Sequence, residues 1–459
     1  MGSQPSCRWL LLTVLLLAIG CRPDGGAVPS RSTYPSIVVI TVDTLRADHL
    51  GCYGYFRNTS PTIDALAAES VFFTNALTTM ATTLPAHLSL WTSRIPLEIG
   101  VTRNGWKVFR REESEGQIRL FAEMLQDLGY TTAAFVSANP VKSYTGLDAG
   151  FDVYNQPKIG TGRKYRRGDR TNNEVMKWLD SQPAEPFFLW VHFFDPHRPY
   201  FPPAPFDTAF ATGPELQSFL ESRPAIDRER PAAVSKSHNM YDGEILYVDT
   251  EVERLLQTLR DKQLFDDLAL VLTADHGEGL GEHGRFGHGE IHNEQLQVPL
   301  LIKYPSKMGL NGRQVDSIVS LTDVVPTLVA TLDLDLPESD LAQFVGVNVL
   351  SSGSHRPFAF VQRSTARGRS WGTADKFALV GSKWKLSYDT NLGDTLVDLE
   401  VDPYELQNVI AEHPEVAQEL KDRLLELIAE YSASERGLEV LELTSPEVLE
   451  ELRTLGYIQ

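Results

Sequence analysis

The chain has 459 residues, 42% apolar and 22% charged, a balance that excludes a disordered or collagen-like polymer and allows one large or two unequal globular domains. Its 61 acidic and 42 basic residues give a net charge of −19, which argues against broad contact with nucleic acid or a polybasic grip on a membrane surface. Three cysteines, Cys7, Cys21 and Cys52, are too few for a disulfide scaffold or a cysteine-only metal site.

At the N-terminus, Arg8 precedes an apolar run from Trp9 to Ile19, too short to span a membrane comfortably and typical of a secretory signal. Leu17-Ala18-Ile19-Gly20-Cys21 resembles a bacterial lipobox. Residues 1–20 are therefore expected to be a signal peptide and 21–35 a linker. The chain is expected to be exported, with lipid on Cys21 as its one tie to a membrane. From Ser36 short apolar or β-branched runs alternate with amphipathic helices. Strands are expected at Ser36–Val42, Thr131–Ser137, Phe187–Phe193, Leu268–Thr273 and Val298–Ile302. Helices are expected at Ser60–Ser70, Gln117–Leu128, Tyr241–Lys262 and Asp323–Leu332. This order predicts an α/β fold, a mostly parallel sheet covered on both faces over 36–350. Beyond it the pattern changes to a hairpin (Phe377–Val380, Lys383–Tyr388), a further strand at Leu396–Leu399 and an amphipathic helix at Pro414–Tyr431. A smaller α+β domain is expected over 351–435, with a tail over 436–459.

Ligands of a parallel sheet bind beyond the carboxyl ends of its strands, and the notable polar residues fall there. Asp275-His276-Gly277-Glu278 ends one buried strand and offers a carboxylate and an imidazole to a divalent cation. His283, His288 and His292 come next, among closely spaced glycines, which let backbone approach a ligand. Asp43 succeeds the first strand and equally suits the cap of a following helix. Thr83-Leu84-Pro85-Ala86-His87 opens a helix. Thr and Pro are ordinary there, yet the same place sets a hydroxyl where helix N–H groups attract an oxyanion, as an activated nucleophile would need. His192 and His197 flank Asp195 and suit either proton transfer to a leaving group or plain packing. The basic run Arg163-Lys164-Tyr165-Arg166-Arg167 reads as a solvated loop.

Together these segments resemble the sulfatases, within the alkaline-phosphatase superfamily. The matches run in family order: IVVITVDTLRADHLGCYGY at 37–55, TLPAHLSLWTSRIP at 83–96, VHFFDPHRPYFPP at 191–203, LTADHGEGLGEHGRFGHG at 272–289, QVPLLIKYP at 297–305 and LVDLEVDPYELQNV at 396–409. The resemblance implies an alkaline-phosphatase-like α/β/α sandwich. It implies one or two divalent cations (Zn, Mn or Ca) on Asp43, Asp275 and His276, with Thr83 at the nucleophile position. His87, His197 and His288 are its implied catalytic neighbours, and Asn104, His192 and His283 are expected to contact substrate.

Two departures bear on the reaction. Family sulfatases carry Cys or Ser at the nucleophile position, converted to formylglycine, and Thr83 cannot be converted in that way. The second Asp that often comes after the first is Thr44 here. An unmodified Thr resembles the phosphodiesterases and the phosphoethanolamine or phosphoglycerol transferases of the superfamily. The expectation is an ester hydrolase acting on a small-molecule, glycan or lipid sulfate or phosphate ester, with phosphate favoured by Thr83. Transfer of a phospho-group to a lipid or glycan acceptor, or metal binding without catalysis, are the alternatives.

Overall fold

Ile37–Val42, Phe187–Phe193 and Ala269–Ala274 are apolar or β-branched at nearly every position and buried throughout, as strands covered on both faces must be. The computed structural model describes residues 1–2, 34–109, 118–158, 165–210, 213–353, 356–363, 375–389, 392–432 and 439–442. All described elements lie in the compact unit Ser32–Gln459. The predicted signal peptide from residue 3 and the linker up to residue 33, with Cys21, lie outside the described residues.

The main sheet contains β1 (Ile37–Val42), β2 (Val71–Leu77), β3 (Thr131–Phe135), β4 (Val153–Asn155), β5 (Phe187–Phe193), β6 (Ala269–Ala274), β7 (Gln297–Lys303), β8 (Gln314–Val315) and β9 (Val319–Ser320). Its nine strands run in the order β8-β2-β7-β6-β1-β5-β3-β4, with β9 also on β2. The pairing is mostly parallel: β1 lies between β5 and β6, with Val42 level with both Phe193 and Ala274. The chain therefore leaves each of these three strands at one shared edge of the sheet. β7 runs antiparallel to β6 and β2, so the connection 275–296 leaves and returns at that same edge. This keeps the whole histidine-rich loop where the strands end.

The helices include α1 (Pro61–Ala68), α2 (Thr83–Thr92), α3 (Gly168–Asp180), α4 (Pro231–Asp261), α5 (Val324–Thr331) and α6 (Pro414–Ser432). α4 begins well before the expected Tyr241, because Pro231 is well suited to a first helical turn. The helix expected over Gln117–Leu128 is confined to Phe121–Asp127, with Glu123 accepting the Leu120 N–H at 2.7 Å and Gly129 leaving in a left-handed conformation. β2 and α3 are additional to the expected elements.

The C-terminal strands β10 (Ala359–Arg363), β11 (Lys376–Val380), β12 (Trp384–Asp389) and β13 (Thr395–Asp398) form an antiparallel sheet in that order. One group of apolar side chains, Phe360, Leu379, Leu386 and Leu396, packs with Leu420, Leu424 and Tyr431 of α6. A second group, Ala359, Val361, Ala378 and Val380, packs with Leu77, Ile291, Leu296 and Ile318. The small sheet thus covers the end of the histidine-rich loop. The expected tail is not all tail: Glu439–Glu442 pairs antiparallel with Trp106–Phe109. Among the described residues no helix is long and apolar enough to cross a membrane.

Leu424 is fully buried between α6 and the small sheet. Leu424→Ala is expected to lower unfolding free energy by about 2–5 kcal/mol, measured by chemical denaturation of the purified chain.

Candidate functional site

Asp43 directly succeeds β1 and Asp275 directly succeeds β6, so the strand register sets the two carboxylates side by side. Oδ1 of Asp275 accepts the N–H groups of His276 (2.8 Å) and Thr44 (3.1 Å). Its Oδ2, and both carboxylate oxygens of Asp43, are buried with no hydrogen-bond partner. Thr44 has φ +60°, an unusual left-handed conformation for a β-branched residue. The turn is held by that N–H bond and by the Tyr241 hydroxyl, which donates to the Thr44 carbonyl at 2.6 Å. Strain of this kind persists where surroundings over-determine the backbone, and here it aims Asp43.

His276 donates from Nδ1 to the carbonyl of Gly277 at 2.9 Å, which leaves Nε2 as the lone-pair nitrogen. That atom lies 3.4 Å from Asp275 Oδ2 and 3.5 Å from Thr83 Oγ1. One ligand atom each from Asp43, Asp275 and His276 falls within 4.8 Å of the others, and all three residues are buried. Orphaned buried carboxylate oxygens facing an imidazole lone pair fit a divalent cation, since uncompensated buried charge is otherwise costly. Burial, with the charges of Asp275 and Glu278 beside it, pushes the Asp43 carboxyl well above its ordinary value of 3.8.

Thr83 is the first residue of α2 and fully buried. The helix end supplies fewer N–H groups than its position suggested. Asn104 Oδ1 accepts the Leu84 N–H at 2.8 Å, Pro85 has none, and the Ala86 N–H is bonded to Thr82. An anion here must be held chiefly by charge rather than by the helix end. Asn104 thereby holds the first turn of the Thr83 helix.

The other predicted site residues divide. His288 is with the group: its ring is 4.4 Å from that of His276, and its Nδ1 is 3.2 Å from Glu278 Oε1. His197 stacks on Phe194 at 4.4 Å and meets His288 edge-on at 5.1 Å. Burial and the neighbouring His288 lower its pKa to about 3, so it is neutral. His87 is near but committed, with Nδ1 donating to the Thr83 carbonyl at 2.8 Å and Nε2 3.2 Å from Thr41 Oγ1. It holds the Thr83 carbonyl from within α2. His192 accepts the Ser137 N–H at Nδ1 (3.4 Å) and sets Nε2 3.7 Å from Asp43 Oδ2. It faces Asp43 from β5.

His283 is not brought to this group at all; it stacks on His292 elsewhere on the loop. Glu278 joins the group without having been among the expected site residues: it is fully buried beside His288, and burial raises its pKa. Its place in Asp-His-Gly-Glu was the available signal. Arg46 was missed too, a buried guanidinium that donates to the Glu278 carbonyl (3.0 Å) and to Glu282 Oε1 (2.8 Å) and so braces the loop. Arg166, expected in a solvated loop, instead binds Asn155, Val136 and Thr171. Asp195, at the end of β5, accepts the Gly168 N–H at 3.0 Å.

A buried carboxylate–imidazole group beside a helix-terminal hydroxyl, at the carboxyl edge of a mostly parallel sheet, belongs to ester hydrolases of the α/β/α type. The Sulfatase family model matches residues 35–334 and that of the N-sulphoglucosamine sulphohydrolase C-terminal region matches 281–430. The chain belongs to the sulfatase family and is a hydrolase acting on ester bonds. It is 24% identical to the arylsulfatase of Clostridium perfringens, over 85% of this chain and 92% of that one. It is 26% identical to human (Homo sapiens) iduronate 2-sulfatase, over 72% and 75%. Among solved structures, the phosphonate monoester hydrolase of Agrobacterium radiobacter superposes with a TM-score of 0.69 at 24% identity, covering 86% of this chain and 96% of that one. The putative sulfatase yidJ of Bacteroides fragilis superposes with a TM-score of 0.72 at 19% identity, covering 95% and 100%.

The raised Asp43 carboxyl has a thermodynamic consequence. A carboxyl whose folded pKa exceeds its unfolded one favours the fold fully below the unfolded value, and that contribution is lost as pH rises through the folded value. Metal-stripped protein is therefore expected to lose melting temperature as pH rises above about 4, and Asp43→Asn to flatten that decline. Thermal unfolding in chelator across pH checks both.

Proposed function

We propose that the chain hydrolyses a phosphate ester of a small molecule or glycan through Thr83, with a divalent cation on Asp43, Asp275 and His276. The observation that carries this reading is the Thr83 hydroxyl, 3.5 Å from His276 Nε2 and beside two adjacent carboxylates. When bound, the cation supplies Lewis-acid polarisation of the ester and lowers the pKa of the nucleophile. The imidazole in the donor set favours Zn²⁺ or Mn²⁺ over Ca²⁺. So does Thr44, which stands where a second carboxylate would have offered another hard oxygen.

Thr83 gives up its hydroxyl proton to water and its Oγ attacks phosphorus in line, forming an Oγ–P bond as the bond to the leaving alcohol breaks. Asn104 and His87 hold its helix and carbonyl in place for that attack. His288, oriented by Glu278, is placed to give a proton to the departing oxygen. Neutral His197 borders His288 and gives its Nδ1–H to the Arg198 carbonyl, so it lines the site without adding charge. Water then attacks the phosphothreonine and breaks Oγ–P, restoring the hydroxyl. Sulfate fits this cycle less well. A formylglycine hydrate expels sulfate with its second hydroxyl, and Thr83 has only one.

Thr83→Ala is expected to reduce turnover of a nitrophenyl phosphodiester or monoester by at least about 10³-fold while bound metal is retained. Nitrophenyl sulfate, assayed beside them, should turn over poorly. Sulfate turnover that survives Thr83→Ala would overturn the nucleophile assignment.

His288→Gln is expected to slow cleavage of an alkyl phosphate ester by about 10²-fold or more and a nitrophenyl ester far less, because only the poor leaving group needs its proton. Equal losses on both would remove the proton-donor role.

A further inference from the structure

The loop between β6 and β7 carries a second set of metal-type ligands that the ester chemistry does not use. His283, His292 and Glu294 each offer a ligand atom, and these atoms lie within 4.8 Å of one another. The two imidazole rings stack with centroids 3.8 Å apart and planes 30° apart. Nδ1 of His292 is buried with no hydrogen-bond partner. The carboxylate of Glu405 is 3.9 Å from it and is already engaged, accepting from Lys385 Nζ at 2.6 Å and from the Asn293 N–H at 2.7 Å. His283 is held at φ +53°, its N–H bonded to the Ala225 carbonyl at 2.8 Å. Packing alone accounts poorly for this arrangement. A buried ring nitrogen without a partner costs free energy, and a left-handed non-glycine residue adds strain. His283 and Glu294 also line a cavity of about 390 Å³, so the cluster is reachable by an ion and by water.

We propose that His283, His292 and Glu294 form a second metal site, a structural Zn²⁺ site that pins the histidine-rich loop. Two imidazoles and one carboxylate are a donor set that suits Zn²⁺ better than Mg²⁺ or Ca²⁺, which prefer oxygen ligands. Water from the adjoining cavity completes the coordination. His283 and His292 lie on either side of His288 in the chain, so an ion shared between them closes the stretch that presents His288 to Glu278. The same turn is clamped from the C-terminal sheet, where Lys385 Nζ also donates to Asn293 Oδ1 at 3.0 Å. The site positions the loop and does not touch the ester, so it stands whether or not Thr83 is the nucleophile.

The test counts zinc where the catalytic ligands are absent. The full chain carrying Asp43→Ala and Asp275→Ala is stripped with chelator, incubated with Zn²⁺, desalted and analysed by mass spectrometry for metal. One equivalent of zinc is expected to remain, with a raised melting temperature; adding His292→Ala should abolish both. No retained zinc in the double variant, or unchanged retention after His292→Ala, overturns the proposal. Circular dichroism checks folding, and His283→Gln serves as the second variant. Should both variants misfold, Co²⁺ added to the double variant decides. The strong visible absorption of four-coordinate Co²⁺ supports the site, and a spectrum like that of the aqueous ion overturns it.

Discussion

Two carboxylates held side by side in the protein interior are the constraint on which this site depends. Asp43 and Asp275 meet because β1 and β6 are parallel neighbours with Val42 level with Ala274. At about 4 Å and an effective dielectric near 20, such a pair repels by about 4 kcal/mol. Among the described residues no guanidinium or ammonium relieves this. The buried Arg46 is turned away to Asp48, Glu282 and the Glu278 carbonyl. Only Asp275 Oδ1 is served by backbone N–H groups, and the remaining oxygens are left bare. A fold that retains bare carboxylates is arranged for a positive charge to arrive, which links the sheet's register to the chemistry.

That charge also decides how an anionic ester is held. The helix α2 brings Thr83 to the site, but Asn104, Pro85 and the Thr82–Ala86 bond remove most of its terminal donors. The protein as a whole is strongly acidic, so neither its long-range field nor the helix end favours an anion. On the proposed reading, affinity comes from the cation and from the imidazole of His288, while neutral His197 gives its N–H to the Arg198 carbonyl. His87 shows how tightly the remainder is committed. The Trp190 Nε1–H donates to Thr41 Oγ1 at 2.9 Å, and Thr41 in turn meets His87, which holds the Thr83 carbonyl.

The legible parts of the chain were those set by one local cause. Continuous apolar runs marked β1, β5 and β6 with little error, and the Asp that directly follows β1 and β6 marked the buried carboxylate pair. Elements that depend on register and on distant partners were illegible. β2 mixes Thr74 and Asn75 into its middle, where they bond to Val315 and Asp316 rather than to the core, so its pattern does not read as a strand. His283 and His288 are chemically alike and sit on one loop. Only the fold of the short hairpin Gly279–Leu280 and Phe286–Gly287 sends one to His292 and the other to Glu278. The approach of His192 to Asp43 depends likewise on register, since β5 level with β1 pairs it with Thr41 and leaves its Nε2 3.7 Å from Asp43 Oδ2.

Register and distant partners also tie the small C-terminal sheet to the main domain across residue 350. The family model for the C-terminal region starts at 281, inside the histidine-rich loop, and the Sulfatase model runs on to 334. The physical contacts agree with this overlap. Arg363 NH1 donates to Glu290 Oε2 at 3.0 Å in a buried pair, and Lys385 reaches the Ile291 carbonyl. Ala359, Val361, Ala378 and Val380 shield Ile291 and Leu296. A cut at 350 would strip Glu290 of its buried guanidinium partner and uncover apolar side chains at the base of the loop that carries His288. Losing one partner of a buried ion pair is strongly destabilising. The small sheet therefore acts as the back wall of the site, fixing the loop from which His288 is presented.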